Sequence, residues 1–490
     1  MEHSPKEKIP YPKTEEKLCN GVSENCLSCV WIDSCSMVRE QLSFYNLLGF
    51  KKATEKFPLI KPKIIQKEKL NEERKVENRY IDPNWDFADA NIKNLTHCFH
   101  NYPAMMIPQV AGRLLDMYSK EGDVVLDPFC GSGTVLVEAK LRGLESYGID
   151  INPLALLLSK VKTTIIDPYL LRNEFFKLVS NFYNIRPENV MPPSFYNIDF
   201  WFKPEVAVQL TALKRSIDSI NERVKGIKNF FLVAFSETVR EVSNTRNGEF
   251  KLYRLPEEKL KRFYPNVVKI FEQKVIRNLK GMEDYYINCK GKDKIPIILD
   301  EDTRIKTSIP ASRINIIVTS PPYGDSKTTV AYGQFSRLSL QWLGFDGDSL
   351  GTDKKSLGGQ DGNSLSYFGF KSEALKKTIE TIASKDKKRA KEVLSFFLDL
   401  KKCFIELNRV LVPGGYICMV IGNRTVKKIQ IPTDEIVRDF SEAFGMEHIQ
   451  TIVRRIPNKR MPSRNSPTNV KGQTVTTMNN EYIVILRKGN

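Results

Sequence analysis

The stretch from Asp123 to Asp150 constrains the fold of this 490-residue chain more than any other part of its sequence. Its first five residues, Asp123-Val124-Val125-Leu126-Asp127, are typical of a short buried strand. A glycine-rich loop follows, then a helical segment from Thr134 to Leu141, and then a second strand from Ser146 to Asp150. Strands that alternate with helices in this way predict a parallel sheet covered by helices on both faces.

The same pattern predicts further elements along the chain. We expect a helix from Pro103 to Tyr118 and another over about 387–408. Strands are predicted at 295–299, 314–318, 449–453 and 481–486, the last two forming a C-terminal antiparallel pair, and Val412 to Gly415 is predicted to turn into a strand at 416–421. The fold class is therefore α/β, with a mostly parallel sheet that ends in an antiparallel hairpin.

Four regions follow from changes in composition along the sequence. Residues 1–94 form an N-terminal arm, residues 95–160 and 293–490 supply the two halves of the sheet, and residues 161–292 form an inserted, mainly helical domain. The insertion is recognised by helical apolar spacing, as in Val206, Leu210, Leu213 and Ile217.

The charge of the chain indicates a polyanionic partner. The formal net charge is +17 and the calculated pI is near 9.3. No run approaches the length of about 18 apolar residues that a membrane helix needs, and the N-terminus lacks the apolar core of a signal peptide. We therefore expect a cytoplasmic protein without a membrane partner.

Four cysteines are clustered near the N-terminus: Cys19, Cys26, Cys29 and Cys35. In a reducing compartment such a cluster favours a metal site over disulfides. Tetrahedral Zn²⁺ and an iron–sulfur cluster are both compatible with four thiolates. A loose segment with incidental thiols is the alternative.

The loop between the first two strands has the composition of a nucleotide-type site. Gly131 and Gly133 let a ligand approach the backbone closely, and Asp150 ends the next strand, where a carboxylate bonds ribose hydroxyls. The Gly-Lys-Ser/Thr signature of a phosphate-binding loop is absent from the sequence. The loop therefore predicts an adenosine-like ligand without a pyrophosphate.

A rigid corner, Ser320-Pro321-Pro322-Tyr323, follows the strand at 314–318. The two prolines lack backbone N–H groups and fix φ, so the strand must end there. In α/β enzymes the ends of strands are where ligands and chemistry are found.

Together these motifs resemble those of S-adenosyl-L-methionine-dependent amino-group DNA methyltransferases. The segments that carry the resemblance are the glycine loop 127–134 with 148–153, the corner 319–323, the segment 100–104 and the triplet 302–304. The resemblance implies a Rossmann-like class I methyltransferase sheet, and the Ser-Pro-Pro-Tyr form favours methylation of cytosine N4. It also implies double-stranded DNA as substrate, a cognate restriction endonuclease as a partner, and the prokaryotic cytoplasm as the location.

The resemblance assigns roles to individual residues. Those expected at the cofactor are Tyr102, Pro103, Asp127, Phe129, Gly131, Ser132, Gly133, Thr134, Asp150, Ile151 and Asp302. Those expected at the reacting base are Ser320, Pro321, Pro322 and Tyr323. The Ser320 hydroxyl and the Pro321 carbonyl would accept hydrogen bonds from the amine of a flipped base, and Tyr323 would stack on that base.

Two basic stretches are candidate DNA contacts. One lies in the inserted domain and includes Arg240 and Arg246, and the other follows the strand at 449–453 and includes Arg455, Lys459, Arg460 and Arg464. Arg and Asn side chains of the first stretch could contact base edges in a groove. The cations of the second stretch, beside a catalytic edge, suit phosphate contacts. Solvated loops are the alternative for both.

Three other functions remain open at this point. Adenine N6 is also an exocyclic amine, so an adenine methyltransferase is compatible with the same corner. An RNA methyltransferase acting on tRNA or rRNA is a second alternative, because some tRNA guanine-N2 enzymes carry similar motifs. A non-catalytic DNA-binding module is the third.

Overall fold

A mixed sheet runs through the centre of the chain, whose computed structural model describes residues 78–221, 226–246, 248–325, 329–345, 351–359, 371–457, 464–465, 475–476 and 478–490. The sheet strands are β1 (Arg79–Ile81), β2 (Val124–Asp127), β3 (Glu145–Asp150), β4 (Ile297–Asp300), β5 (Ile314–Thr319), β6 (Leu411–Ile421), β9 (Met446–Arg455) and β12 (Asn480–Lys488). Two small ribbons pair β7 (Thr425–Val426) with β8 (Ile429–Gln430), and β10 (Arg464–Asn465) with β11 (Val475–Thr476).

The strand order places β2 and β5 side by side in the middle of the sheet. The order is β1-β9-β12-β6-β5-β2-β3-β4. The pairs β5–β6, β5–β2, β2–β3 and β3–β4 are parallel, whereas β12 runs antiparallel to both β6 and β9. The predicted α/β sheet with an antiparallel C-terminal hairpin is confirmed.

Helices cover both faces of the sheet. They are α1 (Pro108–Tyr118), α2 (Thr134–Leu141), α3 (Pro153–Thr163), α4 (Pro168–Asn184), α5 (Ile198–Trp201), α6 (Pro204–Asp218), α7 (Ile227–Val242), α8 (Glu257–Leu260), α9 (Val267–Asn288), α10 (Tyr332–Leu343), α11 (Thr352–Lys355), α12 (Glu373–Ala383), α13 (Lys387–Val410) and α14 (Thr433–Ala443). Short 3-10 turns occur at Pro83–Trp85, Leu95–Cys98 and Pro187–Asn189.

Alternation along the strands divides the core into two layers. In β2, Val124 and Leu126 face the layer that contains α12, α13 and α14, whereas Val125 faces the layer that contains α1 and α2. Ile317 and Ile316 in β5 divide in the same way. A side-chain period of two on a sheet covered on both sides produces this division.

The segment between β3 and β4 is mainly helical, with one isolated bridge between Thr245 and Arg254. The described residues from 78 onward belong to one compact unit, so these helices pack with the sheet domain. Close approach is possible because Gly281 of α9 lacks a side chain: a Cβ there would lie 2.4 Å from the carbonyl oxygen of Leu95. The use of 161–292 as a separate recognition domain stays a prediction.

Three local predictions were wrong. Residues 78–94, assigned to the arm, belong to the fold, since β1 pairs with β9 and Trp85 is buried. The first helix begins at Pro108, because Ala104 adopts a left-handed φ of 53° and interrupts the helix. The turn at 412–415 lies inside β6, which accommodates Gly414 at φ 74° where the pairing with β5 shifts register.

The N-terminal cysteines, Cys19 to Cys35, lie outside the described residues. Among the residues that are described, no group of His, Cys, Asp and Glu is arranged to hold a metal ion. The described part of the chain also contains no helix with the length and hydropathy needed to span a membrane.

Candidate active site at the carboxyl edge of the sheet

The carboxyl ends of β2, β3, β4 and β5 meet at one edge and form an open cleft. Its wall includes the glycine loop, Ser320 and Pro322 of the corner, and residues from 102–106, 150–152 and 301–304. The two segments that the sequence assigned to the cofactor and to the target base therefore line the same cleft. Neighbouring parallel strands produce this arrangement, since their ends point in the same direction.

Two glycines give the loop after β2 its path. Gly131 and Gly133 both have positive φ, 49° and 83°. A Cβ on Gly133 would lie 2.8 Å from Cα of Ser159 in α3, so helix and loop can meet only at a glycine. At Gly131 the nearest side-chain atom to such a Cβ is 3.6 Å away, on the ring of Tyr102. Gly133 therefore serves packing, whereas Gly131 borders the cleft.

Asp127, at the end of β2, is joined to the strand that carries the corner. Its Oδ1 accepts hydrogen bonds from the Thr319 hydroxyl at 2.7 Å and from the Phe129 amide at 3.1 Å. The other oxygen, Oδ2, has no hydrogen-bond donor among the described residues, and the residue lines the cleft. Burial raises the pKa of Asp127 to about 7, against the effect of these two donors.

Asp150, at the end of β3, closes the loop from the other side. Its carboxylate accepts from the Gly131 amide at 2.9 Å and from the Asn152 amide at 2.8 Å. Burial raises the pKa of Asp150 to about 6. A carboxylate has about four acceptor positions, so both oxygens retain capacity for ligand hydroxyls.

The segment before α1 forms another wall of the cleft. The hydroxyl of Tyr102 accepts a hydrogen bond of 2.9 Å from the side-chain amide of Asn152, which also donates to Ser336 at 2.8 Å. The ring of Tyr102 stacks on that of Tyr332, with centroids 6.0 Å apart. In the same cleft, the buried Ser132 hydroxyl has no partner among the described residues.

Asp302 also lines the cleft, but its carboxylate is already paired. Arg304 donates to both of its oxygens, at 3.0 and 2.6 Å, and extends to Asp399 at 3.1 Å. Burial acts to raise the pKa of Asp302, yet the bonds from Arg304 lower it overall. The Thr303 hydroxyl donates to the Pro128 carbonyl at 2.9 Å and attaches this segment to the glycine loop.

The corner after β5 is held by contacts on its inner side. The Ser320 hydroxyl lies 3.3 Å from the Tyr323 hydroxyl, which donates to Glu481 of β12 at 3.1 Å. The Tyr323 ring packs beside Gly422, where an added Cβ would lie 2.7 Å from its Cδ2 atom. Ser320 and Pro322 line the cleft, whereas the Tyr323 ring packs against the core. The role of Tyr323 as a base-stacking ring stays a prediction.

The predicted DNA contacts have different surroundings. Arg246 and Arg455 are exposed. Arg464 lies in β10, whereas Lys459 and Arg460 are outside the described residues. The prediction for Arg240 is corrected, because this side chain is 7% exposed and donates to the carbonyls of Phe335 and of the loop at Glu249. Its guanidinium fixes that loop and does not face solvent.

Four functional candidates were given no role from the sequence: Thr319, Asn152, Tyr332 and Glu481. Thr319 and Asn152 lie within the segments 319–323 and 148–153 that carry the resemblance, so a closer look at the polar side chains of each motif could have found them. Tyr332 and Glu481 carry no local signal, because only the tertiary fold brings Tyr332 to the cleft and Glu481 to the Tyr323 hydroxyl.

The chain is similar in sequence to known DNA methyltransferases. The sequence model of a DNA methylase family, of the N6/N4 type, matches residues 19–160 and 314–490. The type II methyltransferase M.MvaI of Kocuria varians is 43% identical over 447 residues, covering 86% of this chain and 96% of that protein. A tRNA (guanine(10)-N2)-dimethyltransferase of Methanocaldococcus jannaschii is 41% identical over 68 residues, 14% of this chain and 19% of that protein. A solved SAM-dependent methyltransferase of Methanosarcina mazei aligns with 80% of this chain and 99% of its own, with a TM-score of 0.28 and 10% identity.

Proposed function

Because this chain belongs to the N6/N4 DNA methylase family, we propose that it transfers a methyl group from S-adenosyl-L-methionine to the N4 amine of cytosine in a specific DNA sequence. One observation carries the proposal: the glycine-loop pocket and the Ser320 corner line one cleft. Ser at the first position of the corner favours cytosine over adenine. A cognate restriction endonuclease is the proposed partner.

The cleft suits the cofactor. The unpartnered Ser132 hydroxyl and the free Oδ2 of Asp127 are available to a polar amino-acid moiety. Asp150 has acceptor positions left for ribose hydroxyls. Phe129 and Ile151 add apolar wall, and Gly131 leaves the backbone accessible. When bound, the cofactor supplies an electrophilic methyl group on a sulfonium.

The corner supplies the complementary part of the chemistry. The lone pair of an exocyclic amine is delocalised into the ring, so the amine is a weak nucleophile. We propose that the Ser320 hydroxyl and the Pro321 carbonyl accept hydrogen bonds from its two N–H groups, which draws the nitrogen toward tetrahedral geometry. The two prolines hold these acceptors rigid, and rigid dipoles need no reorganisation during reaction. The base must leave the duplex to reach a cleft at the end of a strand.

A surface on the helical insertion is proposed to bind the DNA around that base. Cations there lie over exposed rings: Arg254 over Phe200 at 4.6 Å and Arg246 over Tyr253 at 6.0 Å. Such pairs offer phosphate contacts and stacking faces together. The Leu252 amide lies 3.4 Å from the side chain of Gln334 in α10, the helix that begins at the cleft residue Tyr332. We propose that this surface and Arg455 flank the flipped base.

Adenine N6 is the second candidate, because the same two acceptors fit its amine. RNA as substrate is less well supported, since the tRNA enzyme aligns with 68 residues only. A catalytically inactive DNA-binding module is distinguished from an enzyme by the assay below.

The test is transfer of tritium from labelled cofactor to DNA, with Ser320→Ala beside the wild type. The variant loses one preorganised contact, so we expect turnover to fall by about 10²- to 10³-fold. Its cofactor Kd, measured by calorimetry, is expected to stay within about twofold. Ser384→Ala is the matched control, because Ser384 is exposed at the end of α12, on a helix that does not line the cleft. Equal loss of turnover and cofactor affinity in Ser320→Ala would contradict a role at the amine.

A further inference from the structure

A line of polar contacts runs from the Ser320 corner into the sheet. It begins at the Ser320 hydroxyl, passes the Tyr323 hydroxyl at 3.3 Å and reaches Oε1 of Glu481 at 3.1 Å. The second oxygen of Glu481 is paired with Arg454, which is 1% exposed. None of the motifs that carry the family resemblance includes Glu481 or Arg454, and 158 residues separate Tyr323 from Glu481.

The carboxylate at the end of this line sets the direction of each hydrogen bond. An ionised carboxylate only accepts, so the Tyr323 hydroxyl must point its proton toward Glu481. The Tyr323 oxygen is then left as an acceptor, and the Ser320 hydroxyl donates to it. Both lone pairs of Ser320 therefore remain available to the cleft, where the target amine must be met by an acceptor.

Arg454 fixes the carboxylate in place. Its guanidinium also donates to the backbone carbonyls of Trp85, at 2.7 Å, and of Asp86, at 3.1 Å. A buried guanidinium with three such acceptors has little freedom to move, so Glu481 has one orientation toward Tyr323. The segment at 85–86, which the sequence assigned to the N-terminal arm, thereby supports the active-site corner.

We propose that Glu481 is a positioning residue for methyl transfer, which acts through Tyr323 to keep Ser320 an acceptor toward the target amine. The proposal rests on the proposed function, because it assigns a task to Ser320 in that reaction. Tyr323 then acts through its hydroxyl, in agreement with a ring that packs beside Gly422 on the inner side of the corner. This line of contacts, from Ser320 through Tyr323 to Glu481, sets the orientation of the Ser320 hydroxyl and takes no part in cofactor binding.

Three variants test this: Glu481→Gln, Tyr323→Phe and the double variant. The amide of Gln can donate to the Tyr323 oxygen, which allows the reverse direction and turns the Ser320 proton toward the cleft. We expect kcat to fall roughly 10- to 100-fold in each single variant, the range of one charge-assisted hydrogen bond. The double variant should be no more than about threefold slower than Tyr323→Phe, because both changes break one line of contacts.

Cofactor Kd and the KM for DNA should stay within about twofold in all three variants, which a merely structural loss would not produce. Glu447→Gln, at an exposed position on β9, is the matched control and should keep wild-type kcat. An unchanged kcat in Glu481→Gln would overturn the proposal that Glu481 acts through Tyr323. So would reductions in kcat that multiply in the double variant. If Glu481→Gln unfolds below the assay temperature, unchanged kcat in Tyr323→Phe overturns it instead. A wild-type protein that methylates no DNA would overturn the proposed function itself.

Discussion

Replacing Asp127 by Asn should make the free protein more stable and the cofactor complex weaker. The Oδ1 atom of Asp127 accepts both protein hydrogen bonds, from Thr319 and from Phe129. The amide oxygen of Asn can accept the same two, so the variant keeps these contacts. It loses the buried negative charge and exchanges the free Oδ2 for an NH2 group that cannot accept from a ligand.

The magnitude follows from the shifted pKa of this carboxyl. The pKa of Asp127 rises from an ordinary 3.8 to about 7 through burial. A group with a raised folded-state pKa contributes stability that is full below pH about 4 and is lost as pH rises through about 7. The free energy of unfolding of the wild type falls on this account by about 4 kcal/mol over the whole pH range, of which about 1.4 kcal/mol is lost between pH 6 and pH 8. Asn does not titrate, so the stability of the variant relative to wild type should rise by about this amount over the same interval.

The assay is urea unfolding of both proteins at pH 6, 7 and 8 without cofactor. Comparing the two proteins at each pH cancels the titration of groups they share, including Asp150, whose pKa is raised to about 6. Cofactor Kd at pH 8 should be roughly 10- to 100-fold weaker in the variant, the cost of losing one charge-assisted contact. Asp123→Asn, outside the cleft, is the control for affinity. An Asp127→Asn protein that loses stability relative to wild type as pH rises, or that binds cofactor normally, would refute the reasoning.

Three further predictions concern packing, the DNA surface and the N-terminal cysteines. Gly133→Ala should lower the free energy of unfolding in urea by about 2–4 kcal/mol more than Gly143→Ala does. Both glycines have positive φ, but only a Cβ on Gly133 would meet a backbone atom, at 2.8 Å. Equal losses of unfolding free energy in the two variants would contradict this. Arg246→Ala should reduce the slope of log Kd for DNA against log salt by about 1. Arg240→Met should leave this slope unchanged and lower the free energy of unfolding, since Arg240 is buried. A changed slope in Arg240→Met would contradict the assignment of Arg240 to the interior. Elemental analysis of the protein should find about one zinc ion, or an iron–sulfur cluster, per chain, and this metal should be lost when Cys26 and Cys29 are replaced by Ser. A wild-type protein without bound metal would contradict a metal site at the N-terminal cysteines.

The sequence predicted the elements that hold the cleft because each has a strong local signal. The helix at Thr134–Leu141 has the predicted ends, since a glycine at φ 83° stops the loop and starts the helix. The strands β2, β3 and β5 were within two residues of their predicted ends because each lies next to turn residues, and β2 and β5 are also buried, mostly apolar runs. Such signals need no knowledge of the rest of the fold.

What the sequence could not predict depends on distant partners. The edge strand β1 has three residues of which two are exposed, so it carries no apolar alternation and is fixed by pairing with β9. Arg240 was interpreted as a candidate DNA contact because it stands in a stretch that contains several Arg and Asn residues, but the tertiary fold buries it against Phe335, with the guanidinium 4.3 Å from the ring centroid. Glu481 is one acidic residue in an apolar strand, and its relation to Tyr323 exists only after β12 has paired with β6.

The central claim is that one cleft brings a methyl donor to an amine held by Ser320. The most direct measurement is mass analysis of nucleosides from DNA incubated with cofactor and either wild-type protein or Ser320→Ala. We expect N4-methylcytosine with wild type and a rate of its formation about 10²- to 10³-fold lower with the variant. C5-methylcytosine as the product would contradict it, because no chemistry at the corner leads to that carbon, and N6-methyladenine would contradict the choice of base.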